Sequence, residues 1–77
     1  MKYKYIEIKE IAQKPKTKVY GVFNIRYGEK LAEIRWDCGW RQYVIEYMPS
    51  CKFSLGCTVD IIDFWNREIK AKVKGVL

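Results

Sequence analysis

Two runs of alternating apolar and polar residues occupy the middle of the chain. Residues 31–36 and residues 40–47 are rich in aromatic and β-branched residues, and a short polar break containing a glycine, residues 37–39, separates them. Alternation with a period of two predicts strands that bury one face, and such a break between two strands predicts a β-hairpin. We expect Trp36 from the first strand and Tyr43 from the second to face the core.

Two further segments predict strands earlier in the chain. Residues 19–25 consist mostly of β-branched and aromatic residues and predict a strand that is apolar on both faces, followed by a turn at 26–30. Residues 2–11 alternate over most of their length and also predict a strand, with a helix as the alternative. Because Pro15 disfavours regular structure around it, residues 13–18 are expected to form a loop.

The last third of the chain predicts one amphipathic helix of about four turns. At 100° per residue, one broad apolar stripe contains Cys57, Ile61, Ile62, Phe64, Trp65 and Ile69. Ser54 is the expected N-cap, with Thr58 as the competing choice. Asp60 and Asp63, near the expected start of the helix, suit the positive end of the helix dipole.

Together these elements predict a small α+β domain that covers residues 1–77. The expected architecture is an antiparallel sheet of three to four strands, in β-β-β-β-α order, with the C-terminal helix packed on one face. Its parts are an N-terminal strand with a basic loop (1–18), a β-meander (19–47), the helix (54–70) and a lysine-bearing tail (71–77). A chain of this length has room for one small core.

Positive charge is concentrated towards the two ends of the sequence. The formal net charge is +6, of which residues 1–18 carry +4 and residues 70–77 carry +3, whereas residues 19–69 sum to −1. Domains that read DNA usually carry positive charge on the folded surface. This distribution instead favours basic arms, or lysines that simply keep the protein soluble.

The composition argues against catalysis and metal binding. The chain has no histidine, and therefore lacks the usual general base near neutral pH and an imidazole ligand. Its three cysteines, Cys38, Cys51 and Cys57, are too few for a zinc site without histidine, and an odd number argues against a disulfide framework. Asp60 and Asp63 lack a third carboxylate close in sequence. We expect a non-enzymatic protein without a cofactor or metal.

The sequence contains no apolar run of the length, about 20 residues, that crosses a bilayer. The basic first residues are not followed by an apolar stretch of the kind found in signal peptides. We therefore expect a cytoplasmic protein that does not bind membranes.

The aromatic and basic residues of the hairpin are candidate binding residues. Rings on a sheet can stack on nucleobases, and arginine adds cation–π and phosphate contacts. A structural alternative places Trp36 and Tyr43 in the core. In that alternative Arg41 pairs with Asp37 or Glu33. The candidate nucleic-acid-binding residues are Lys14, Lys16, Lys18, Arg35, Trp40, Arg41, Lys70, Lys72 and Lys74.

The hairpin also carries the motif Ile34-x-Trp36, a short turn, and Trp40-Arg41-x-Tyr43. This motif resembles a group of small uncharacterised proteins found in bacterial genomes and phages. The resemblance extends over about two thirds of the chain, through Lys18–Tyr20, Glu33–Trp36, Trp40–Tyr43, Phe53, Cys57 and Asp60–Phe64. In the turn this chain has Asp-Cys-Gly where the pattern has tyrosine, glycine and proline. The resemblance implies no known activity, only a prophage setting in which small proteins often bind host machinery.

Two functions remain open from the sequence. The first is a binding protein that contacts nucleic acid through its basic ends and the hairpin arginines. The alternative is a phage-encoded inhibitor or adaptor of the anti-defence type, which contacts a host protein through exposed Phe23, Ile25 and Trp40. A homodimer formed through the face that carries Phe23 and Ile25 is a third possibility. If a phage encodes the chain, the expected location is the host cytoplasm.

Overall fold

Four antiparallel strands lie side by side in the order in which they occur in the chain. The computed structural model describes residues 1–70, so the tail at 71–77, with Lys72 and Lys74, lies outside the described residues. The elements are β1 (Ile6–Gln13), β2 (Lys18–Asn24), β3 (Lys30–Asp37), β4 (Gln42–Tyr47), α1 (Leu55–Phe64) and a π-helical segment (Trp65–Lys70). This order confirms the predicted α+β class, with four strands and a C-terminal helix.

The N-terminal strand confirms the alternation pattern over the helical alternative. Ile6 and Ile8 are at most 1% exposed and lie on the same face of β1. The strand begins later than predicted because residues 1–3 fold back along it, where the Tyr3 N–H donates to the Ile6 carbonyl at 2.8 Å. A β-bulge between Glu10 and Ala12 shifts the register near the other end of the strand.

The core lies between the helical segment and one face of the sheet. Its sheet residues include Ile6, Ile8, Val22, Ala32, Ile34 and Tyr43, and its helical residues are Ile61, Phe64 and Ile69. Tyr20 meets Phe64 edge to face with ring centroids 5.0 Å apart, and Trp36 meets Tyr43 in the same way at 5.6 Å. The inward placement of Tyr43 is confirmed, and Trp36 is half-buried against the core.

Ser54 is the N-cap of α1, as predicted. Its Oγ accepts a hydrogen bond of 3.1 Å from the Cys57 N–H, and the helix begins at Leu55. The predicted dipole role of Asp60 and Asp63 is wrong, because the first turn of α1 contains no acidic residue. The competing cap, Thr58, lies inside the helix.

The helical segment changes type at Trp65, which the sequence pattern did not predict. In a π-helix each N–H bonds to the carbonyl five residues earlier, so a turn holds more residues than in an α-helix and residues five apart come closer to the same face. Phe64 and Ile69 are five apart and are 3% and 2% exposed. The wider turn therefore keeps Ile69 over the sheet. The prediction that Ile62 belongs to the buried stripe is wrong, since this side chain is 55% exposed, whereas Cys57 is half-buried and packs against the core.

Candidate nucleic-acid interface

Most of the predicted binding residues lie at one end of the sheet. Since neighbouring strands are antiparallel, the β1–β2 loop (residues 14–17) and the β3–β4 loop (residues 38–41) occupy the same end. The π-helical segment ends there as well, where Ile69 and Lys70 line clefts together with the end of β4.

The β3–β4 loop is organised by Asp37. Its Oδ1 accepts hydrogen bonds from the N–H groups of Gly39 at 2.7 Å and Trp40 at 3.1 Å, and its carbonyl accepts from the Arg41 N–H at 2.7 Å. Arg41 has a φ of 57°, in the left-handed region. The prediction that β4 starts at residue 40 is therefore wrong. The loop leaves Trp40 69% exposed and Arg41 exposed as well.

The β1–β2 loop is tied to the opposite edge strand through Tyr43. The Lys18 N–H donates a hydrogen bond of 3.1 Å to the Tyr43 Oη, so the phenol of β4 reaches the first residue of β2. Within the loop, the Lys14 N–H donates to the Thr17 carbonyl at 2.8 Å. The turn around Pro15 leaves Lys14 and Lys16 exposed.

Three adjoining clefts of about 250, 290 and 480 Å³ open at this end of the molecule, and the third continues along β4 to Glu46. Tyr43 lines all three. The first lies between the β1–β2 loop and Ile69, the second holds Lys70 beside Gln42, and the third holds Trp40. The surface they form is called the loop rim. It contains Lys14, Lys16, Lys18, Trp40 and Lys70, and we include Arg41, the exposed neighbour of Trp40 in the β3–β4 loop.

Within the described residues, four of the five cations of the loop rim are not paired with an acidic side chain. Among residues 1–70, no carboxylate oxygen lies within 4.0 Å of the cationic groups of Lys14, Lys16, Arg41 or Lys70. The predicted pairing of Arg41 with Asp37 or Glu33 is therefore wrong. Asp37 instead caps the backbone of its loop.

Two acidic residues lie close to the first cleft. Glu10 is 3.5 Å from Lys18 Nζ, and because both side chains are about half-exposed, this pair adds little stability. Glu68 lines the first cleft. The pKa of Tyr20, which lines the same cleft, is raised mainly by burial and further by the charges of Tyr43, Glu10 and Glu68.

Arg35 is separate from the loop rim. It lies in the middle of β3 on the face opposite the core, with its Nε 2.8 Å from Glu46 and its Nη1 3.5 Å from Glu33. Lys30 donates to Glu33 at 2.5 Å, and this hydrogen bond is the main cause of the lowered pKa of Glu33. In these ion pairs the two cations and the two carboxylates of β3 and β4 balance one another.

The predicted protein-contact residues divide between two places. Phe23 is half-buried on the open face, where its ring lies against Gly21 and the Lys9 Nζ lies 5.0 Å from the ring centroid. Ile25 follows β2 and lines a cleft of about 210 Å³ at the end of the sheet opposite the loop rim. Trp40 belongs to the loop rim.

That opposite end carries a second basic and aromatic cluster, which the sequence pattern did not reveal. Tyr5 and Tyr27 are 59% and 70% exposed, and each has a neighbouring cation, Lys4 or Arg26, 5.3 Å from its ring centroid. The Lys-Tyr repeat of residues 2–5 was an available signal, but its alternation favoured a strand. The basic segment 1–18 is thus divided, because the eight residues of β1 span about 26 Å.

The outer surface of α1 carries an apolar stripe that the sequence pattern also missed. Leu55, Val59 and Ile62 are 80%, 54% and 55% exposed and follow one another at helical spacing. The helical wheel separates this stripe poorly from the buried one, because Ile62 lies at the edge of the exposed stripe, next to the buried side chains.

Residues 1–70 contain no group of three histidine, cysteine, aspartate or glutamate side chains placed to hold a metal ion. The three cysteines are free. None of the helices described here has both the length and the apolar character needed to span a membrane.

Comparison with protein-family models, with curated proteins and with solved structures gives no match to this chain. The resemblance to small bacterial and prophage proteins therefore stays a prediction.

Proposed function

We propose that the protein is a non-enzymatic nucleic-acid-binding protein that holds a single-stranded segment along the loop rim. The observation that carries this proposal is the continuity of the three clefts around Tyr43, which join Lys14 and Lys16 at one end to Trp40 at the other. Proteins that bind single strands combine a positively charged groove with exposed rings on which bases stack.

The parts of the loop rim have different roles in this proposal. The lysines contact phosphates, which supplies affinity without sequence preference. Trp40, 69% exposed on its loop, provides a stacking surface for one base. Arg41, the next residue, adds a phosphate or cation–π contact. Lys72 and Lys74 follow Lys70 in sequence and extend the same basic character.

A single strand fits this surface better than a duplex. On the open face of the sheet, which would have to lie against a groove of a duplex, Arg35 and Lys30 are paired with carboxylates and Lys9 lies over the Phe23 ring. Sequence readout of a duplex needs an element that enters a groove. The loop rim offers clefts and one ring, which suit an unstacked strand.

The experiment is a titration of labelled single-stranded DNA, single-stranded RNA and duplex DNA, read by fluorescence anisotropy between about 50 and 200 mM salt. If the five cations of the loop rim each contact a phosphate, log K falls against log salt with a slope of about −3.5 for single strands. The double variant Lys14→Gln, Lys16→Gln should reduce this slope by about 1.4. No binding to any of the three nucleic acids at low salt would overturn the proposal.

The matched control lies at the opposite end of the sheet. The double variant Lys4→Gln, Arg26→Gln removes the same number of charges from the cluster around Tyr5 and Tyr27. The proposal predicts an unchanged slope for this variant. Equal losses from both double variants would show that net charge, rather than the loop rim, determines binding.

A second candidate is a protein–protein inhibitor or adaptor of the phage anti-defence type. The observation that favours it is the exposed apolar stripe of α1, Leu55, Val59 and Ile62, because apolar surface of this kind marks interaction sites. In that case Val59→Lys should abolish capture of one specific host protein, whereas the lysine variants of the loop rim should not affect it.

A further inference from the structure

The outer edge of β4 is an unprotected strand edge within the described part of the chain. The Met48 N–H donates to the Leu31 carbonyl, so Met48 is a hydrogen-bonded residue of this strand pair. Because hydrogen-bonded residues alternate along an antiparallel strand, the backbone groups of residues 42, 44 and 46 also face β3. The N–H and carbonyl groups of Tyr43, Ile45 and Tyr47 consequently face outward. No backbone group of residues 1–70 pairs with them on that side.

The other edge of the sheet is formed by β1. Unlike β4, the first part of this edge is protected against the addition of a further strand. In the first part of β1 the outward groups belong to Ile6 and Ile8, and residues 1–3 cover them: the Ile8 N–H donates to the Met1 carbonyl at 2.9 Å, and Lys2 bridges to Glu7. The bulge near Glu10 further protects this edge. β4 contains no lysine, proline or bulge, the devices that usually prevent strand addition.

We propose that β4 pairs with β4 of a second copy of this chain, so that two sheets join into one of eight strands. A two-fold axis at Ile45 pairs this residue with Ile45 of the second copy. It also pairs Tyr43 of each copy with Tyr47 of the other copy. Every outward group then has a partner, which gives about six backbone hydrogen bonds. The outward residues are symmetric about Ile45, so the edge is complementary to itself.

The side chains are compatible with this register. The only charged residue in β4 is Glu46, and Arg35 of the same chain holds it at 2.8 Å, so the approach of a second edge brings no unpaired like charges together. On the core face, Ile45 meets Ile45 and the half-exposed ring of Tyr47 gains cover. Trp65 lines a cleft together with Tyr43 and Ile45, beside the axis.

The test uses proline to remove an outward N–H without removing a bond to β3. Sedimentation velocity of the full chain should show a monomer–dimer equilibrium. Tyr47→Pro should weaken the dimer about tenfold or more relative to Tyr47→Ala, which loses the same ring but keeps the N–H. A wild-type chain that stays monomeric up to about 1 mM, or equal association of the two variants, would overturn the proposal.

Hydrogen exchange keeps the proposal testable if the proline variant does not fold. The amides of Tyr43, Ile45 and Tyr47 should exchange rapidly in dilute protein and become protected as the concentration rises. A dimer in which these three amides stay unprotected would place the interface elsewhere, for example at Phe23. Protection that does not change with concentration would show that the edge is covered within one molecule. Either result would overturn the proposal, which is tested without nucleic acid. The paired strands share residues 43–46 with the third cleft, whereas Trp40 lies outside the pairing register.

Discussion

The phenol of Tyr3 donates a hydrogen bond of 2.8 Å to Asp63 Oδ2 and so joins the N-terminal segment to α1 across 60 residues of sequence. The second carboxylate oxygen of Asp63 accepts from Arg67 Nε at 2.9 Å. Burial and the carboxylate raise the pKa of Tyr3, while the hydrogen bonds from Tyr3 and Arg67 lower the pKa of Asp63. The pair stabilises the fold only while the phenol is protonated and the carboxyl is ionised.

Tyr3→Phe should therefore lower the midpoint of urea unfolding in a pH-dependent way. The lowered pKa of Asp63 gives stability that is lost as the pH falls below about 4. The raised pKa of Tyr3 gives stability that is lost as the pH rises above about 10. The difference from wild type should be full between these limits and should shrink outside them. Tyr5→Phe, at an exposed tyrosine, is the control and should show no such window.

Gly21→Ala should destabilise the sheet by about 1 kcal/mol, because a Cβ at this position would lie 2.6 Å from Phe23 Cε2 and force the ring away from the strand. In a Phe23→Ala background most of this destabilisation should disappear. There Gly21→Ala should be close to neutral, since glycine is unfavourable inside a strand but Ile11 Cγ2, 3.1 Å from the added Cβ, still has to shift. A double-mutant cycle by chemical denaturation measures this difference, and additive effects would contradict the packing of Phe23 on Gly21.

Ser54→Ala should lower the free energy of unfolding by about 1 kcal/mol through loss of the bond to the Cys57 N–H. Thr58→Ala is the control, because its hydroxyl donates to the Ser54 carbonyl from within the helix and caps nothing. Its effect should be clearly smaller. If thermal unfolding shows the larger loss for Thr58→Ala, the helix begins later than Leu55.

Arg41→Gly should separate stability from binding. Since Arg41 has a φ of 57°, glycine at this position should raise the free energy of unfolding by up to about 1 kcal/mol. The same change removes a cation from the loop rim and should weaken binding to single strands. Arg41→Lys keeps both the charge and the strained backbone, and should leave both quantities near wild type. Paired denaturation and anisotropy measurements test this, and unchanged binding by the glycine variant would remove Arg41 from the interface.

The strands were predictable because their alternation reflects burial on one face. Ile6, Ile8 and Tyr43 face the core as the pattern predicted. The sequence pattern predicts a β3–β4 loop that ends at Gly39. The loop is longer by Trp40 and Arg41, because the Asp37 side chain accepts hydrogen bonds from the N–H groups of both Gly39 and Trp40. That difference moves Trp40 from a strand into an exposed loop, and it is the most important change for the candidate site.

The sequence alone does not show that the candidate binding residues lie close together, because their grouping depends on the order of the strands in the sheet. Lys14, Arg41 and Lys70 are far apart in sequence, and only the antiparallel strand order brings their segments to one end of the sheet. The same topology separates Lys4 from Lys14, although both belong to one basic stretch of sequence. The π-helical turn at Trp65 depends on how Ile69 packs against the sheet, a tertiary effect that a fixed helical period does not represent.

The most direct test of binding at the loop rim is a set of amide chemical-shift changes in the full chain as a single-stranded oligonucleotide is added at low salt. The proposal predicts saturable changes in residues 14–18, 39–43 and 65–70, with the largest at the Trp40 indole N–H. It also predicts little change at Tyr5, Tyr27 and the outer surface of α1. Changes concentrated around Tyr5 and Tyr27, or no changes at any oligonucleotide concentration, would contradict the proposal.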